Sequence, residues 1–212
     1  MNLVKIIYTT AVILVITMGT SNAQVSLPEE GSLGAHISLS IGAYVPVSSL
    51  KKVINTSSYL SITGGIKLDD TWRLDPSLTL FFPQSNERVS IITSDSVVMG
   101  RVNTLSGHLG ASINSVKKIG SRTFIEARLG TGFSFLQTDT MKQDVAEDSN
   151  DNFYGSETIY LSAGIGITVF GFEHSFIGLT MNYYFTPYNL FSQNFQSSFG
   201  NQAMSIGITY GL

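Results

Sequence analysis

The chain has 212 residues, a net charge of −3 and no cysteine, with 13% charged residues against 43% hydrophobic ones. Those numbers exclude a disulfide scaffold, thiolate catalysis, a thiolate metal site and a lipoprotein anchor, and the lack of a basic stripe excludes nucleic acid as a partner. Charged residues are about half their usual share for a soluble domain, whereas Gly (20), Phe (13) and Tyr (9) are abundant, which suits a sheet whose outer face meets lipid.

Lys5 opens the chain with a short positive segment, residues 6–18 are apolar apart from Tyr8 and a few threonines, and Ser21-Asn22-Ala23 supplies small residues at a cleavage position. That is the pattern of a secretory signal peptide, residues 1–23, cut before Gln24. Its apolar core is about a dozen residues, short of the ~20 that span a bilayer as a helix. Loss of Lys5 takes the net charge to about −4. Residues 24–33 form a short periplasmic N-terminal segment before the folded part, 34–212.

From Gly34 onward the pattern has period two. Ile37, Leu39, Ile41, Ala43 and Val45 alternate with His36, Ser38, Ser40, Gly42 and Tyr44, which predicts the first strand. The second runs through Leu60, Ile62, Gly64, Ile66 and Leu68, and the third through Trp72, Leu74, Leu78, Leu80 and Phe82. The same alternation recurs over 104–113, 125–135, 159–168, 177–185 and 204–212. Most of these eight strands are 9 to 13 residues long, matching the roughly 9–11 residues of a tilted membrane strand rather than the ~5–6 of a soluble one. One face is aliphatic. The other holds Ser, Thr, Gly and a few charges, an inversion that suits lipid outside and a narrow polar lumen inside.

The connections alternate in length. Those near 69–71, 115–121 and 170–174 are short, and those near 46–57, 83–98, 137–156 and 187–201 are long. Short turns on one side and long loops on the other are the outer-membrane pattern, and an even strand count puts both termini in the periplasm and four long loops outside. The third long loop is acidic, with Asp139, Asp144, Glu147, Asp148 and Asp151 beside Asn150 and Asn152. Calcium could use such oxygens, but the EF-hand spacing is missing and a solvated loop is expected. The fourth loop is uncharged and aromatic: Tyr188, Phe191, Phe195 and Phe199 are candidates for a cover over the barrel mouth, a lipid contact or an adhesive surface.

Aromatics are expected in two belts. Tyr59, Phe81, Phe82, Phe133, Phe135, Tyr183, Tyr184 and Phe185 fall toward the outer rim, and Trp72, Phe124, Phe170, Phe172, Phe176 and Tyr210 toward the periplasmic one. The fold class is therefore all-β, an eight-stranded antiparallel up-and-down transmembrane β-barrel.

On these residues the chain resembles the small eight-stranded outer-membrane barrels, the group of the outer membrane protein A barrel and the opacity and X-type proteins. The resemblance covers about residues 34–212 and is most specific in the last strand, where Met204, Ile206, Ile208 and Tyr210 alternate before Leu212. It implies an outer-membrane location in Gram-negative bacteria, contact with outer-membrane lipid and lipopolysaccharide, and recognition of the C-terminal strand by the barrel assembly machinery. The usual terminal residue there is Phe, from which Leu212 departs. No peptidoglycan-binding domain follows, so cell-wall anchoring is not implied.

The lumen is expected to carry Lys67, Arg73, Asp75, Arg101, His108, Glu126 and Arg128, with Lys67, Arg73 and Asp75 meeting in one hairpin and His108 beside Glu126 and Arg128 in another. Such charges need partners, and eight strands leave room for little beyond side chains. A paired, closed plug is therefore preferred to a gated path. No catalytic residue, cofactor or metal ligand is assigned: His36, His108 and His174 do not converge on a nucleophile. The functional expectation is a structural or surface-interaction scaffold displaying four extracellular loops, with an extracellular partner bound through them. The alternatives are a narrow porin-like channel or transporter for small solutes or apolar ligands, then a lipid- or peptide-hydrolysing barrel enzyme, then a soluble periplasmic β-sandwich or lipocalin-like barrel.

Overall fold

A computed structural model describes residues 36–85, 89–92, 97–140, 153–171, 175–191 and 200–212. The expected leader, residues 1–23, and the segment 24–33 lie outside the described residues. Nine strands follow in order: β1 (His36–Pro46), β2 (Ser57–Lys67), β3 (Trp72–Phe81), β4 (Val89–Ile92), β5 (Val97–Lys118), β6 (Thr123–Thr140), β7 (Phe153–Phe170), β8 (Phe176–Phe185) and β9 (Gln202–Gly211). A one-turn helix, α1 (Leu50–Val53), interrupts the connection from β1 to β2.

Eight of these strands close a barrel. Each pairs antiparallel with its chain neighbour, β3 pairs with β5, and β1 pairs with β9 through Ser38↔Gly211 to Pro46↔Ala203. Ser40 and Thr209, opposite each other across that seam, share a hydroxyl–hydroxyl hydrogen bond of 2.7 Å. Closure leaves the barrel wall without a free edge, which matters in lipid because unpaired backbone N–H and C=O groups have no water to bond.

The alternation read from the sequence sets which side chains face out. Ile37, Ile41, Ile165, Ile208 and Leu129, the last 70% exposed, stand on the outer wall. Ser38, Ser40, Thr79, Thr180 and Thr209 are buried with charged groups inside. The aromatics divide more evenly than expected. Trp72, Phe82, Phe133, Tyr183, Phe185 and Tyr210 face outward at the rims. Tyr59, Phe81, Tyr184, Phe124, Phe170 and Phe176 do not join the belts; they occupy inward positions and fill the two ends of the lumen. A small barrel has to fill its interior with side chains, and at its ends the rings do so. Phe172 lies outside the described residues.

Strands β5, β6 and β7 also depart from expectation. β5 has 22 residues, β6 18 and β7 18. Their pairing continues past the level of Phe81↔Ser106, the outermost β3–β5 pair, through Arg101↔Asp139 and Asp139↔Phe153. β4 adds a fourth strand through Val89↔Gly100 to Ile92↔Val97. The stretches near 83–98 and 137–156 are thus partly strand and not simple loops. The physical reason is continuity of pairing: strands already in register at the barrel rim go on exchanging backbone hydrogen bonds beyond it. A register shift between Val102 and Ser106 marks where the projecting sheet leaves the barrel.

Candidate functional site

The inward-facing residues of β3 and β6 build a charge network at the level of the short turns. Arg73 Nε donates to Asp75 Oδ1 at 2.6 Å, and Arg73 Nη2 donates to Asp75 Oδ2 at 2.7 Å and to Glu126 Oε2 at 2.9 Å. Arg128 Nη2 donates to the same Glu126 oxygen at 2.7 Å, and the Thr168 hydroxyl donates to Glu126 Oε1 at 3.0 Å. The register explains the meeting, because Arg73 lies opposite Asn114 and Asn114 opposite Arg128. Arg73, Asp75 and Glu126 are each only 2% exposed. Two cations and two carboxylates neutralise one another, the condition under which buried charge is tolerable.

Three expected members of this cluster are placed differently. Lys67 lies opposite Arg73 in the β2–β3 register, as expected, but its ammonium bonds Asp70 of the following turn at 2.7 Å, where both side chains are substantially exposed. The hydrogen bond and charge of Lys67 hold the Asp70 carboxyl below its ordinary range. Asp75 is held on both oxygens by Arg73. Arg101 sits in the projecting part of β5, outside the barrel level, and its side chain lies outside the described residues.

His108 is the third. The β5–β6 hairpin pairs it with Ser134, whereas Val116 lies opposite Glu126 and Asn114 opposite Arg128. Six residues separate His108 from Asn114, ~20 Å along the strand. His108 instead joins a ring cluster in the other half of the lumen. It stacks on Tyr160 at 4.3 Å between centroids, meets the Phe81 edge at 4.7 Å and lies 4.8 Å from Tyr184. Between this cluster and the charge network lies a cavity of about 60 Å³ lined by hydroxyls, with Asp75 and Arg128 on one side and His108 on the other. His36 lies at the short-turn end against Phe176, far along β1 from this level, and His174 lies outside the described residues.

Two connections seal the long-loop end. Leu50 and Ile54, from α1 and the residue after it, are buried with Tyr44, Leu136 and Tyr188. Tyr188 comes from the connection between β8 and β9; the hydroxyls of Ser156 and Thr158 bond the carbonyls of Tyr188 and Pro187 and hold that segment in the mouth. Burial pushes the Tyr188 phenol up to about 12. Of the four loop candidates, Tyr188 is thus part of the mouth cover, and Phe191 is exposed. Phe195, Phe199 and the acidic Asp144, Glu147, Asp148 and Asp151 lie outside the described residues. At the opposite end Phe124, Phe170 and Phe176 pack on one another.

Gly200 permits this closure. It has φ +61°, and a Cβ there would run into the backbone of Leu50. Gly200→Ala is expected to destabilise by about 1–2 kcal/mol from the left-handed backbone alone. Faster amide exchange at Leu50 and Tyr188 than in the wild type, with the strand centres unaltered, is the expected reading by NMR; unchanged exchange at both would mean that the mouth cover does not depend on this approach.

No protein-family model matches the chain, and no curated protein sequence matches it. Among solved structures, Neisserial surface protein A (NspA) matches 84% of this chain and 96% of its own, with TM-score 0.54 and 13% identity. The N-terminal β-barrel domain of Pseudomonas aeruginosa OprF gives a TM-score of 0.40 at 11% identity, covering 82% of this chain and 97% of that one. Ail, the attachment invasion locus protein of Yersinia pestis, solved in complex with the heparin analogue sucrose octasulfate, gives 0.42 at 12% identity over 85% of this chain and 100% of that one. The likeness to NspA shows the fold: a small eight-stranded barrel of the bacterial outer-membrane type.

Proposed function

We propose that the protein is a surface-interaction scaffold of the outer membrane, in which the plugged barrel is the anchor and the projecting sheet is the contact surface. The observation that carries this reading is the length of β5, β6 and β7, at 22, 18 and 18 residues. A membrane crossing uses roughly 9–11 residues. The part of β5 beyond Ser106 therefore rises ~25 Å above the barrel. Among the described residues β4 pairs with β5 and stands at the end of the strand order, the position at which an extended segment of a partner adds to a sheet. The β7 side differs, since Ser156 and Thr158 bond the connection that covers the mouth.

With both termini in the periplasm, the projecting sheet faces the exterior. The charge network, the ring cluster and a cavity of only about 60 Å³ support a closed lumen over a channel. Folding into this state draws on the outward row of Ile206, Ile208, Tyr210 and Leu212 as the signal for the barrel assembly machinery.

Two readouts test this reading together. Ile91→Cys in β4, in a chain that otherwise has no cysteine, is expected to react with a membrane-impermeant maleimide on intact cells. The purified protein is expected to give no discrete conductance steps in planar bilayers. Protection of the cysteine until cells are lysed, or reproducible conductance steps, would overturn the reading.

A further inference from the structure

We propose that the projecting sheet pivots on the barrel, along a line that crosses β5, β6 and β7 at the level of Gln137. Just below that line the strands are locked in place. Ser106 lies opposite both Phe81 of β3 and Leu136 of β6, and its hydroxyl donates to the Phe135 carbonyl at 2.7 Å. Leu136 is buried in one cluster with Leu50, Ile54 and Tyr188. Ser156, opposite Leu136, and Thr158 bond the connection that covers the mouth.

At the line the pairing thins. The β5–β6 ladder passes from Ser106↔Leu136 to Val102↔Thr138, so Asn103, Thr104 and Leu105 stand against Gln137 alone. Residues in excess of the register drop out of the ladder and bend the strand. On its other side, β5 ends its ladder with β3 at Phe81↔Ser106 and begins its ladder with β4 at Gly100↔Val89. The β7–β8 ladder begins lower, at Leu161↔Phe185.

Among the described residues, β6–β7 is therefore the ladder that crosses the line without a break, from Phe135↔Glu157 to Asp139↔Phe153. At the crossing itself Gln137 lies opposite Gly155, and a glycine inside a strand weakens it. Above the line pairing resumes: Arg101↔Asp139 and Gly100↔Thr140 join β5 to β6, and Val89↔Gly100 to Ile92↔Val97 join β4 to β5. A bulge and a glycine at one level, with intact ladders on either side, are the make-up of a hinge, in which a few residues absorb the backbone change.

Val98 lies opposite Ile91 and seven residues beyond Leu105, ~23 Å along the strand. A tilt of ~20°, about the usual twist between neighbouring strands, carries that level ~8 Å sideways. The chain also joins β3 to β4 through residues 82–88, which bounds the swing. A barrel fixed in a membrane can thus present its sheet at more than one angle. The pivot follows from how the sheet is attached and holds whether or not a partner binds there, so it and the scaffold reading fail separately.

The test is distance measurement between paired spin labels on the full chain in lipid nanodiscs, which is direct because the chain has no cysteine of its own. Ile62→Cys with Leu161→Cys, both on the outer wall, gives the reference width. Ile62→Cys is then paired with Ile91→Cys in β4 and, separately, with Phe153→Cys in β7. Both of these distance distributions are expected to exceed the reference width by several ångström, up to ~8 Å. Deletion of Asn103 and Thr104 removes the excess residues and keeps the alternation of faces, and it is expected to narrow both distributions to about the reference. Gly155→Val, which leaves the register as it is, is expected to narrow both by a smaller amount and serves as the test if the deletion does not fold. The fold of each variant is checked by its heat-dependent gel shift. Distributions as narrow as the reference in the unaltered loop, or widths that neither variant changes, would overturn the proposal. So would broadening of the Ile91 pair alone, which is fraying of β4 and not a pivot of the sheet.

Discussion

Glu126→Ala is expected to lower the unfolding free energy by about 3–5 kcal/mol, the cost of breaking a buried ion pair from one side. Glu126 Oε2 receives hydrogen bonds from both Arg73 and Arg128, and Oε1 receives that of Thr168. Its removal leaves Asp75 to balance two guanidinium groups, and Arg73 is only 2% exposed. The loss comes from uncompensated charge, so restoring neutrality restores stability. Glu126→Ala combined with Arg128→Met is expected to recover a large part of the deficit, since apolar replacement of a whole buried pair is often close to neutral. Urea titration in detergent, read by tryptophan fluorescence of Trp72, measures both variants. Equal stability of Glu126→Ala and wild type would mean that the network does not bear on folding, and a double variant no better than the single one would show that charge balance is not the cause.

The second large effect lies on the opposite face of the same strand. Leu129 sits near the middle of the barrel portion of β6 and is 70% exposed. In water, such a position tolerates Arg without loss. In a bilayer, Leu129→Arg is expected to cost about 2–4 kcal/mol, as for a cation at the midplane of a lipid-facing wall. The same substitution at Ile119, exposed in the short turn, is expected to cost at most about 1 kcal/mol because the penalty falls toward the interface. This depth dependence, measured by reversible unfolding from lipid bilayers, separates a lipid-facing wall from a soluble one. Two equal and small effects would place this face in water.

The outer wall was the most legible part of the chain. Ile37, Leu39 and Ile41 alternate with His36, Ser38 and Ser40, and that alternation states both the strand and its lipid face. Closure followed from strand parity, and the β1–β9 pairing agrees with it. Half of the charge network was legible too, since Arg73 and Asp75 lie two residues apart on one strand and therefore face the same way. Its link to Glu126 needed a register, which turn placement fixes only once the turn is known. Here the β5–β6 turn at residues 119–122 puts Glu126 opposite Val116 and carries His108 up to Ser134, away from the acid it was expected to meet.

The inward aromatics were hidden for a related reason. Tyr59, Phe81 and Tyr184 occupy the inward parity near strand ends, where rim and lumen positions look alike in sequence. The projecting sheet left the weakest trace. Outside the barrel there is no lipid on one side and no lumen on the other, so the two-faced alternation that marks β1 is lost over 97–104, although backbone pairing continues.

The most direct test of a closed membrane barrel is the electrophoretic mobility of the protein from the outer-membrane fraction, compared with and without boiling in mild SDS. A sheet sealed by β1–β9 pairing resists SDS until heated, and the expected result is a membrane-bound protein whose band shifts on boiling. A protein recovered in the soluble fraction, with the same mobility before and after boiling, would contradict the account and require the exposed row of Ile37, Leu129 and Ile165 to be buried against something other than lipid.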